Sequence, residues 1–402
     1  MDKVHQLLVA HQSEIIGWAG KLEQNRYFSS IKRTLMHFTT PLLLVSLLLM
    51  MKSLPISASW QGLLTELVDL VLPKMTLIFA GILGYHHYQN KSQQEILSWT
   101  VYMLLVTIMG MASPSAGVVL AILILPITDL TLFIYDSLDK KLENIGNSTL
   151  NMLPKLFQWF YFMTILLVIF AATRWILRQL LMMQVLSYFH IDYFWMVGIF
   201  VIMEMCLWYI GINGYGVMVP VILPFAYNHL LVNFHHLNLG KGVPYTFTPN
   251  FWDYFLSVSG AGMVAALVIL CLLSSKPGLK ALGKSSLRSA LFSVSEPIIF
   301  GMPLTMNRIF LFPFIFGTSI VGVFQWWVFE MGWVNKPMYF VADLPLPFSV
   351  FFSTMDWRSI VLAAVSIGLM VLIYYPFFKK YEAAYQEKIV SEDKYADLDL
   401  DF

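Results

Sequence analysis

Long apolar runs separated by short polar breaks dominate this chain. A helix that crosses the hydrocarbon core of a bilayer needs about 20 predominantly apolar residues. Runs that meet this requirement lie at 34–52, 64–86, 96–112, 115–136, 156–173, 192–210, 215–232, 254–273, 309–330 and 358–378. Because only helices that satisfy their own backbone groups cross lipid in such runs, the pattern predicts an all-α polytopic membrane protein of about ten transmembrane helices.

The pattern changes near residue 190. Before it the runs are typical of ordinary lipid-embedded helices, whereas afterwards polar and Gly- or Pro-rich stretches interrupt them at 211–216, 233–253 and 289–316. Transporters hold ligands in interrupted helices of this kind, so we expect broken or re-entrant helical hairpins in the C-terminal half. The predicted division is an N-terminal scaffold with dimerisation spans, a substrate-binding and transport part, and an acidic cytoplasmic tail, at 1–190, 191–390 and 391–402.

Three segments between or before the spans have their own predictions. Residues 1–33 are amphipathic and predict an interfacial helix. Residues 174–189 predict an amphipathic crossover helix along the interface, although Arg174 and Arg178 can instead indicate an error in the count of spans. The polar stretch 136–151 predicts a short cytoplasmic loop.

The distribution of basic residues predicts the orientation. Arg26, Lys32 and Arg33 precede the first span, and cytoplasmic loops carry an excess of Lys and Arg. The N-terminus is therefore expected in the cytoplasm, and ten crossings return the C-terminus there. The predicted location is a membrane that the chain crosses many times.

Composition excludes several classes of protein. The chain is 58% hydrophobic and only 12% charged, which is too little charge to cover a soluble surface of 402 residues. The net charge of +1 gives no support for nucleic-acid binding. The sequence contains no Walker A, zinc or nucleophile-elbow motif, so we expect neither ATP hydrolysis nor a cofactor nor a metal. Cys206 and Cys271 match no disulfide framework.

Glu296 is the first candidate for chemistry. It lies within an apolar stretch that Pro297, Gly301, Pro303 and Pro313 prevent from forming one continuous helix. A charge at bilayer depth costs a few kcal/mol and is tolerated mainly beside a cavity or a partner. We therefore predict a site for a hydroxyl-rich ligand or a proton. The alternative is a structural carboxylate that pairs with a cation, for which Arg308 is a candidate, or caps a helix.

Two other stretches supply polar groups. Asn213 lies among three glycines in IGINGYG, where it is either a ligand contact or a turn asparagine. Tyr245, Asn250 and Trp252 supply a hydroxyl, an amide and an aromatic face, which is the mixture that carbohydrate sites use. An ordinary extracellular loop has a similar composition, so that alternative stays open.

Three further ionisable residues fall within or beside predicted spans. Asp129, Glu204 and His37 are each isolated in apolar sequence. Each is either a proton relay or a side chain packed against neighbouring helices.

The stretch SVSEPIIFGMPLTMN at 293–307 resembles the Asn-Glu-Pro-Ile-Ile-Phe-Gly segment of the enzyme IIC permeases of the bacterial phosphotransferase system (PTS). The resemblance is to the lactose, cellobiose and N,N'-diacetylchitobiose family. Residues 18–49, 211–224 and 240–255 are similar to further segments of that family, in the same order.

This resemblance implies a ten-span homodimer in which the C-terminal half carries a disaccharide by an elevator-like movement. Glu296 matches the glutamate that binds a sugar hydroxyl, with Ser295 and Asn307 in the same motif. A separate, phosphocysteine-bearing IIB protein would dock from the cytoplasm and supply the phosphate. The chain itself would be the non-catalytic permease subunit, located in the bacterial cell (inner) membrane.

The sequence departs from the family pattern at four positions. Asn213 and Tyr245 stand where the family has histidines, Ser295 replaces an asparagine, and Arg308 replaces a proline. Asparagine and tyrosine can bond sugar hydroxyls, but neither takes up a proton near neutral pH as imidazole does. The leading hypothesis is a permease for a disaccharide such as cellobiose, lactose or diacetylchitobiose. The alternatives are a facilitative or proton-coupled transporter derived from this fold and a non-transporting sugar sensor or docking protein.

Overall fold

The computed structural model describes residues 2–55, 57–89, 95–110, 117–143, 171, 175 and 191–396. Regular structure in these ranges is helical throughout, which confirms the all-α prediction there. We number the helices through the described residues: α1 Asp2–Ala10, α2 Gln12–Gln24, α3 Arg26–Lys52, α4 Ala58–Val71, α5 Met75–Tyr88, α6 Glu95–Gly110, α7 Gly117–Glu143, α8 Phe194–Tyr209, α9 Gly214–Asn238, α10 Pro249–Phe251 with the π-helical turns Trp252–Leu256, α11 Ala265–Leu273, α12 Pro277–Leu291, α13 Glu296–Gly301, α14 with π-helical turns Phe312–Gly317 and then Thr318–Glu330, α15 Phe348–Thr354 and α16 Arg358–Ala396.

Six helical segments among the described residues are long and apolar enough to cross a membrane. They are Arg26–Lys52, Ala58–Tyr88, Gly117–Ile134, Gly214–Asn238, Phe312–Glu330 and Arg358–Tyr385. Shorter apolar helices lie at Ser98–Thr107 and Phe194–Tyr209. Apart from residues 171 and 175, the expected span at 156–173 and the crossover helix at 174–189 fall outside the described residues, so the total of about ten spans stays a prediction.

The span expected at 254–273 is wrong as one continuous helix. Helix α10 ends at Leu256 and α11 begins only at Ala265. Gly260 and Gly262 between them have φ angles of +96° and +77°, which L side chains rarely adopt. A helix needs negative φ throughout, so the small-residue sequence SGAG breaks the run although it is not polar.

Two boundary predictions also need correction. Residues 1–33 form two helices, α1 and α2, before α3 begins at Arg26, rather than one interfacial helix. The predicted loop at 136–151 is helical as far as Glu143, because α7 continues beyond its apolar part.

The chain divides into two compact units. The smaller comprises Arg26–Pro41 and Asp69–Ile191, and the larger comprises Met1–Asn25, Leu42–Val68 and Asp192–Phe402. All the candidate site residues belong to the larger unit. The functional division near residue 190 stays a prediction.

In the smaller unit, α5 packs against α6 and α7. A hydrogen-bonded network ties three of its helices, because the Tyr27 hydroxyl donates to Asp129 Oδ2 at 2.7 Å and His87 Nε2 lies 2.9 Å from the same oxygen. Asp129 therefore has protein partners, as the packing interpretation of this residue predicts.

In the larger unit, α11 and α12 form an antiparallel helical hairpin with its turn at 274–276, and α11 also packs on α16. The Ser274 hydroxyl donates to Glu382 of α16, and the Tyr385 hydroxyl lies against Gly278. The α11–α12 hairpin is thus fastened to α16 at its turn. Its other end leads directly to Glu296.

Candidate functional site

Three stretches that the sequence singles out meet in the larger unit. The Met306 N–H donates to the Tyr209 carbonyl at 2.8 Å, which joins residues 293–307 to residues 209–216. The Tyr215 hydroxyl donates to Asp253 Oδ1 at 3.0 Å, which joins 209–216 to 249–263. Gly260 contacts Ser295, which joins 249–263 to 293–307. Each of the three stretches therefore contacts the other two.

Gly260 is the tightest of these contacts. A Cβ there would lie 2.8 Å from Ser295 Cβ and 2.9 Å from the Ser293 carbonyl oxygen, so no larger residue fits without movement. Ser295 itself is 3% exposed, and its carbonyl accepts the N–H groups of Ile298 and Ile299 at 3.2 and 3.0 Å. Ser295 thus fixes the start of α13.

Glu296 is the first residue of α13 and is half-buried. Its carboxylate forms no hydrogen bond or ion pair with any residue that the structure describes, Arg308 included. The structural alternative of a salt-bridged carboxylate is therefore not observed in this part of the chain. A carboxylate at a helix N-terminus is compatible with the helix dipole and keeps both oxygens available as acceptors.

Asn213 caps helix α9. Its Oδ1 accepts the Gly216 N–H at 2.8 Å, and the side chain is exposed. This is the turn interpretation of Asn213, and it leaves the amide NH₂ as the group that can meet a ligand. The following residue, Gly214, lies directly against the Glu204 carbonyl oxygen of α8, where a side chain has no room.

Tyr245 lies away from Asn213. Its ring stacks on His229 with centroids 4.0 Å apart, and the next N–H, that of Thr246, donates to Asp192 at 2.8 Å. Asp192 precedes α8 whereas Asn213 follows it, and the 16 residues of α8 extend about 24 Å at 1.5 Å per residue. The structure does not bring these two predicted site residues together.

Asn307 stabilises a turn. Its Nδ2 donates to the Pro303 carbonyl at 2.9 Å and its Oδ1 accepts the Ile309 N–H at 3.0 Å. Both ends of the side chain are thus used within the loop that follows α13.

Asn250 and Trp252 are buried and incompletely bonded. Asn250 Nδ2 donates to the Val341 carbonyl at 2.8 Å, but no described residue bonds its Oδ1 or the Trp252 indole N–H. A buried polar atom without a partner costs about 1–3 kcal/mol, so such atoms require an explanation.

Two residues that the sequence analysis did not single out are also buried and have polar atoms that no described residue bonds. Gln325 of α14 is 0% exposed, and neither Oε1 nor Nε2 has a partner among the described residues. It shares a helix face with Gly322 and Phe329, which contact Leu256 and Phe255 of α10. Ser349 of α15 is also 0% exposed with an unpartnered Oγ, and α15 contacts α10.

We refer to Asn250, Trp252, Gln325 and Ser349 as the unpartnered polar set. Its members lie on α10 or on helices that contact α10. The set offers an indole N–H donor, an amide oxygen acceptor, and two groups that can do both. A hydroxyl both donates and accepts, so a polyhydroxylated ligand matches this mixture better than an ion does.

Ionisable groups near the three stretches do not assemble a metal site. Glu204 is 2% exposed and lies near enough to Asp253 for their charges to interact. Within the described residues, no group of three or more His, Cys, Asp or Glu is arranged to hold a metal ion.

Comparison with known proteins identifies the fold and the family of this arrangement. Residues 34–318 match the family model described as the phosphotransferase system EIIC. The crystal structure of the transporter ChbC, the IIC component of the N,N'-diacetylchitobiose-specific PTS, superposes with a TM-score of 0.75. That alignment covers 96% of this chain and 99% of ChbC at 22% sequence identity, so it supports the fold alone.

Two curated relatives are similar over about half of this chain. The lichenan permease IIC component of Bacillus subtilis (strain 168) is 31% identical over 201 residues, 49% of this chain and 43% of that protein. The lactose-specific EIICB component of Staphylococcus epidermidis is 30% identical over 190 residues, 46% of this chain and 32% of that protein. The matched region therefore spans less than half the length of these relatives.

Proposed function

Because the chain belongs to the phosphotransferase system EIIC family, we propose that it is the membrane permease that binds and translocates a disaccharide for phosphorylation by a separate IIB protein. It is a multi-pass membrane protein of the bacterial type. The proposed sugars are disaccharides of the cellobiose, lactose or diacetylchitobiose kind, because the similar proteins are named for lichenan, lactose and diacetylchitobiose.

The unpartnered polar set is the observation that carries this proposal. Four buried side chains with free donors and acceptors surround a single helical segment in a protein that is otherwise rich in apolar contacts. Sugar hydroxyls would supply the missing hydrogen bonds, and each bond would offset the cost of burying an unbonded polar atom.

Glu296 has a separate role in the proposal. Its unpaired carboxylate would accept hydrogen bonds from one or two hydroxyls, and bonds to an ionised acceptor are about twice as strong as neutral ones. With Asn213 and Tyr245 in place of the family histidines, Glu296 is the one predicted site residue with a carboxylate, and it is the candidate general base for a sugar hydroxyl. In this proposal, Glu296 accepts the proton that leaves the sugar hydroxyl when the sugar is phosphorylated.

Three finer points stay predictions within this proposal. They are the homodimer, the cytoplasmic position of both termini, and the division of labour between a scaffold at 1–190 and a transport half at 191–390. Cross-linking of single cysteines placed in the N-terminal helices measures the first, and accessibility of terminal tags in intact cells measures the second.

Membrane vesicles that contain the chain test the function as a whole. We expect labelled disaccharide to accumulate as its phosphate only when IIB, IIA and phosphoenolpyruvate are supplied. Uptake of unmodified sugar that ignores phosphoenolpyruvate and collapses with a proton uncoupler would instead indicate a proton-coupled transporter. Binding of sugar without any uptake would indicate a sensor.

A further inference from the structure

Helix α12 carries a row of cations on one side. Lys276 immediately precedes the helix, and Lys280, Lys284 and Arg288 follow at intervals of four residues. Residues four apart lie nearly above one another at about 6 Å along the axis, so the row extends about 18 Å. Lys280, Lys284 and Arg288 are all exposed.

No acidic residue balances this row. Between Asp253 and Glu296 the sequence has these four cations and neither Asp nor Glu. None of the four pairs with an acid among the described residues. Other cations of the same unit do pair: Lys336 with Glu330 at 2.7 Å, Arg358 with Asp356 at 2.8 Å and Lys379 with Glu382 at 2.7 Å.

The stability of α12 does not explain the row. A cation near a helix C-terminus interacts favourably with the helix dipole, which accounts for Arg288 in the last turn. The same dipole disfavours Lys276 and Lys280 at the N-terminal end. Four charges along one face are also too costly to lie against lipid hydrocarbon, so this face meets water or a polar partner.

The C-terminal end of this row of cations lies close to the candidate site. Helix α12 ends at Leu291, five residues before Glu296, and it contacts α13 directly. The contact between Gly260 and Ser295 holds the base of the α11–α12 hairpin beside that carboxylate. A protein that binds along α12 would therefore be placed next to the ligand that Glu296 is proposed to hold.

Two exposed leucines accompany the cations. Leu287 is 44% exposed and Leu291 is 42% exposed, and Leu287 falls between Lys284 and Arg288 in sequence. Apolar contacts bordered by charged residues are the usual composition of a protein interface. Unpaired charges of one sign speed the encounter with a partner of the opposite sign and fix its orientation.

We propose that the exposed face of α12, defined by Lys276, Lys280, Lys284, Leu287 and Arg288, is the docking surface for an acidic, phosphate-bearing protein, the IIB donor. This inference rests on the proposed function and assigns the surface that the donor uses. Arginine and lysine are the side chains that recognise phosphate and carboxylate, and the row presents four of them.

A direct binding experiment tests the docking surface. The full chain, reconstituted in phosphatidylcholine nanodiscs, is titrated with the purified IIB protein of a diacetylchitobiose system in phosphorylated and unphosphorylated forms. We expect K280E/K284E/R288E to weaken binding at least tenfold and to flatten its dependence on salt between 50 and 300 mM. The matched control is K241E, which reverses an exposed lysine outside α12 and is expected to bind within twofold of the wild type.

Several outcomes would overturn the proposal. These are binding by the triple variant equal to the wild type, an equal loss in K241E, or no binding of IIB by the wild type. A rise in thermal stability with phosphatidylglycerol that the triple variant lacks, without IIB binding, would identify a lipid-headgroup surface instead. If the triple variant fails to fold, K280Q/K284Q is expected to weaken binding about threefold, and its equality with the wild type would refute the surface.

Sugar binding on the same samples separates the two proposals. The triple variant is expected to bind disaccharide as the wild type does, because α12 side chains are not in the unpartnered polar set. A wild type that binds IIB but no sugar would refute the proposed function and leave the docking surface intact. A wild type that binds sugar but not IIB would refute the docking surface alone.

Discussion

Two polar centres of the molecule differ in how their side chains are bonded. In the smaller unit, Tyr27 and His87 both bond the carboxylate of Asp129, so three helices share one polar centre. In the larger unit, Asn250 and Gln325 are each 0% exposed and have amide atoms that nothing in the described chain bonds. The first arrangement stabilises the packing of three helices, and the second leaves hydrogen-bonding capacity that a ligand can use.

Backbone conformation also differs between parts of the chain. Helices α3 and α7 continue through Pro41 and Pro126, each as one element of 27 residues. The stretch between α10 and α11, by contrast, leaves the helical conformation altogether, with positive φ at Ser259 and Met263. Irregular backbone at membrane depth is tolerated where it lies within protein or lines a cavity, so the break indicates where a ligand can approach.

Removing the shared acceptor of the smaller unit should have the largest effect on stability. Asp129→Ala is expected to cost about 2 kcal/mol, because it leaves the buried His87 and the half-buried Tyr27 without their acceptor. The midpoint of thermal unfolding in detergent measures the loss, and disaccharide affinity should stay within twofold. Glu66→Ala removes an exposed acid and is the control. An unchanged midpoint in Asp129→Ala would mean that the network contributes nothing.

Changing the charge of Glu296 should affect binding rather than stability. Glu296→Gln is expected to weaken disaccharide affinity at least tenfold, about 1.4 kcal/mol, because a charged acceptor is lost. The unfolding midpoint should not fall, since no described residue loses a partner. Titration calorimetry measures the affinity. A folded variant with wild-type affinity would contradict the assignment of Glu296 to the site.

Helix α14 carries one buried side chain without a described partner, Gln325, and one that is bonded, Ser319, six residues apart. Gln325→Leu is expected to weaken disaccharide affinity about fivefold, or about 1 kcal/mol, and to leave the unfolding midpoint equal or higher, since it removes an unsatisfied buried amide. Ser319→Ala is the matched control, because the Ser319 hydroxyl donates to the Gly198 carbonyl at 3.0 Å. It should lower the midpoint and spare affinity. The reverse pattern would refute the role of the unpartnered polar set.

The cap at Asn213 should show the smallest effect. Asn213→Ala is expected to lower stability by about 1 kcal/mol, because Gly216 loses its acceptor. Asn213→Asp keeps an acceptor at the same position and should restore the unfolding midpoint. If Asn213→Ala instead abolishes disaccharide binding with an unchanged midpoint, Asn213 is a ligand contact and not a cap.

The sequence was sufficient to find the stretches but not their partners. Glu296 is conspicuous because it is charged in an apolar run, and the prolines and glycines around it predict the break that the structure shows after Gly301. Gln325 is not conspicuous, because a single amide in an apolar helix is ordinary, and only the absence of bonding partners among the described residues distinguishes it. That absence depends on tertiary packing, which no sequence spacing reveals.

The same limit explains the wrong span at 254–273. Apolar content was high enough to predict a crossing, and the signal against it was local, in Gly260 and Gly262. These glycines, with positive φ angles, lie against Ser295 and Phe314, which come from distant parts of the sequence. The roles of Asn213 and Asn307 also required geometry, because an asparagine that caps a helix or stabilises a turn has the same surroundings in sequence as one that binds sugar.

The α11–α12 hairpin is fastened at both ends, to Glu382 of α16 at its turn and to Ser295 at its base. These two contacts therefore hold the hairpin at a fixed length between α16 and Ser295. The 15 residues of α12 correspond to about 22 Å, and any protein seated along them keeps a constant offset from the Glu296 carboxylate. Lengthening α12 by one turn would displace a bound donor protein by about 5 Å relative to the Glu296 carboxylate. The donor and the ligand at Glu296 would then be misaligned, even if each bound with unchanged affinity.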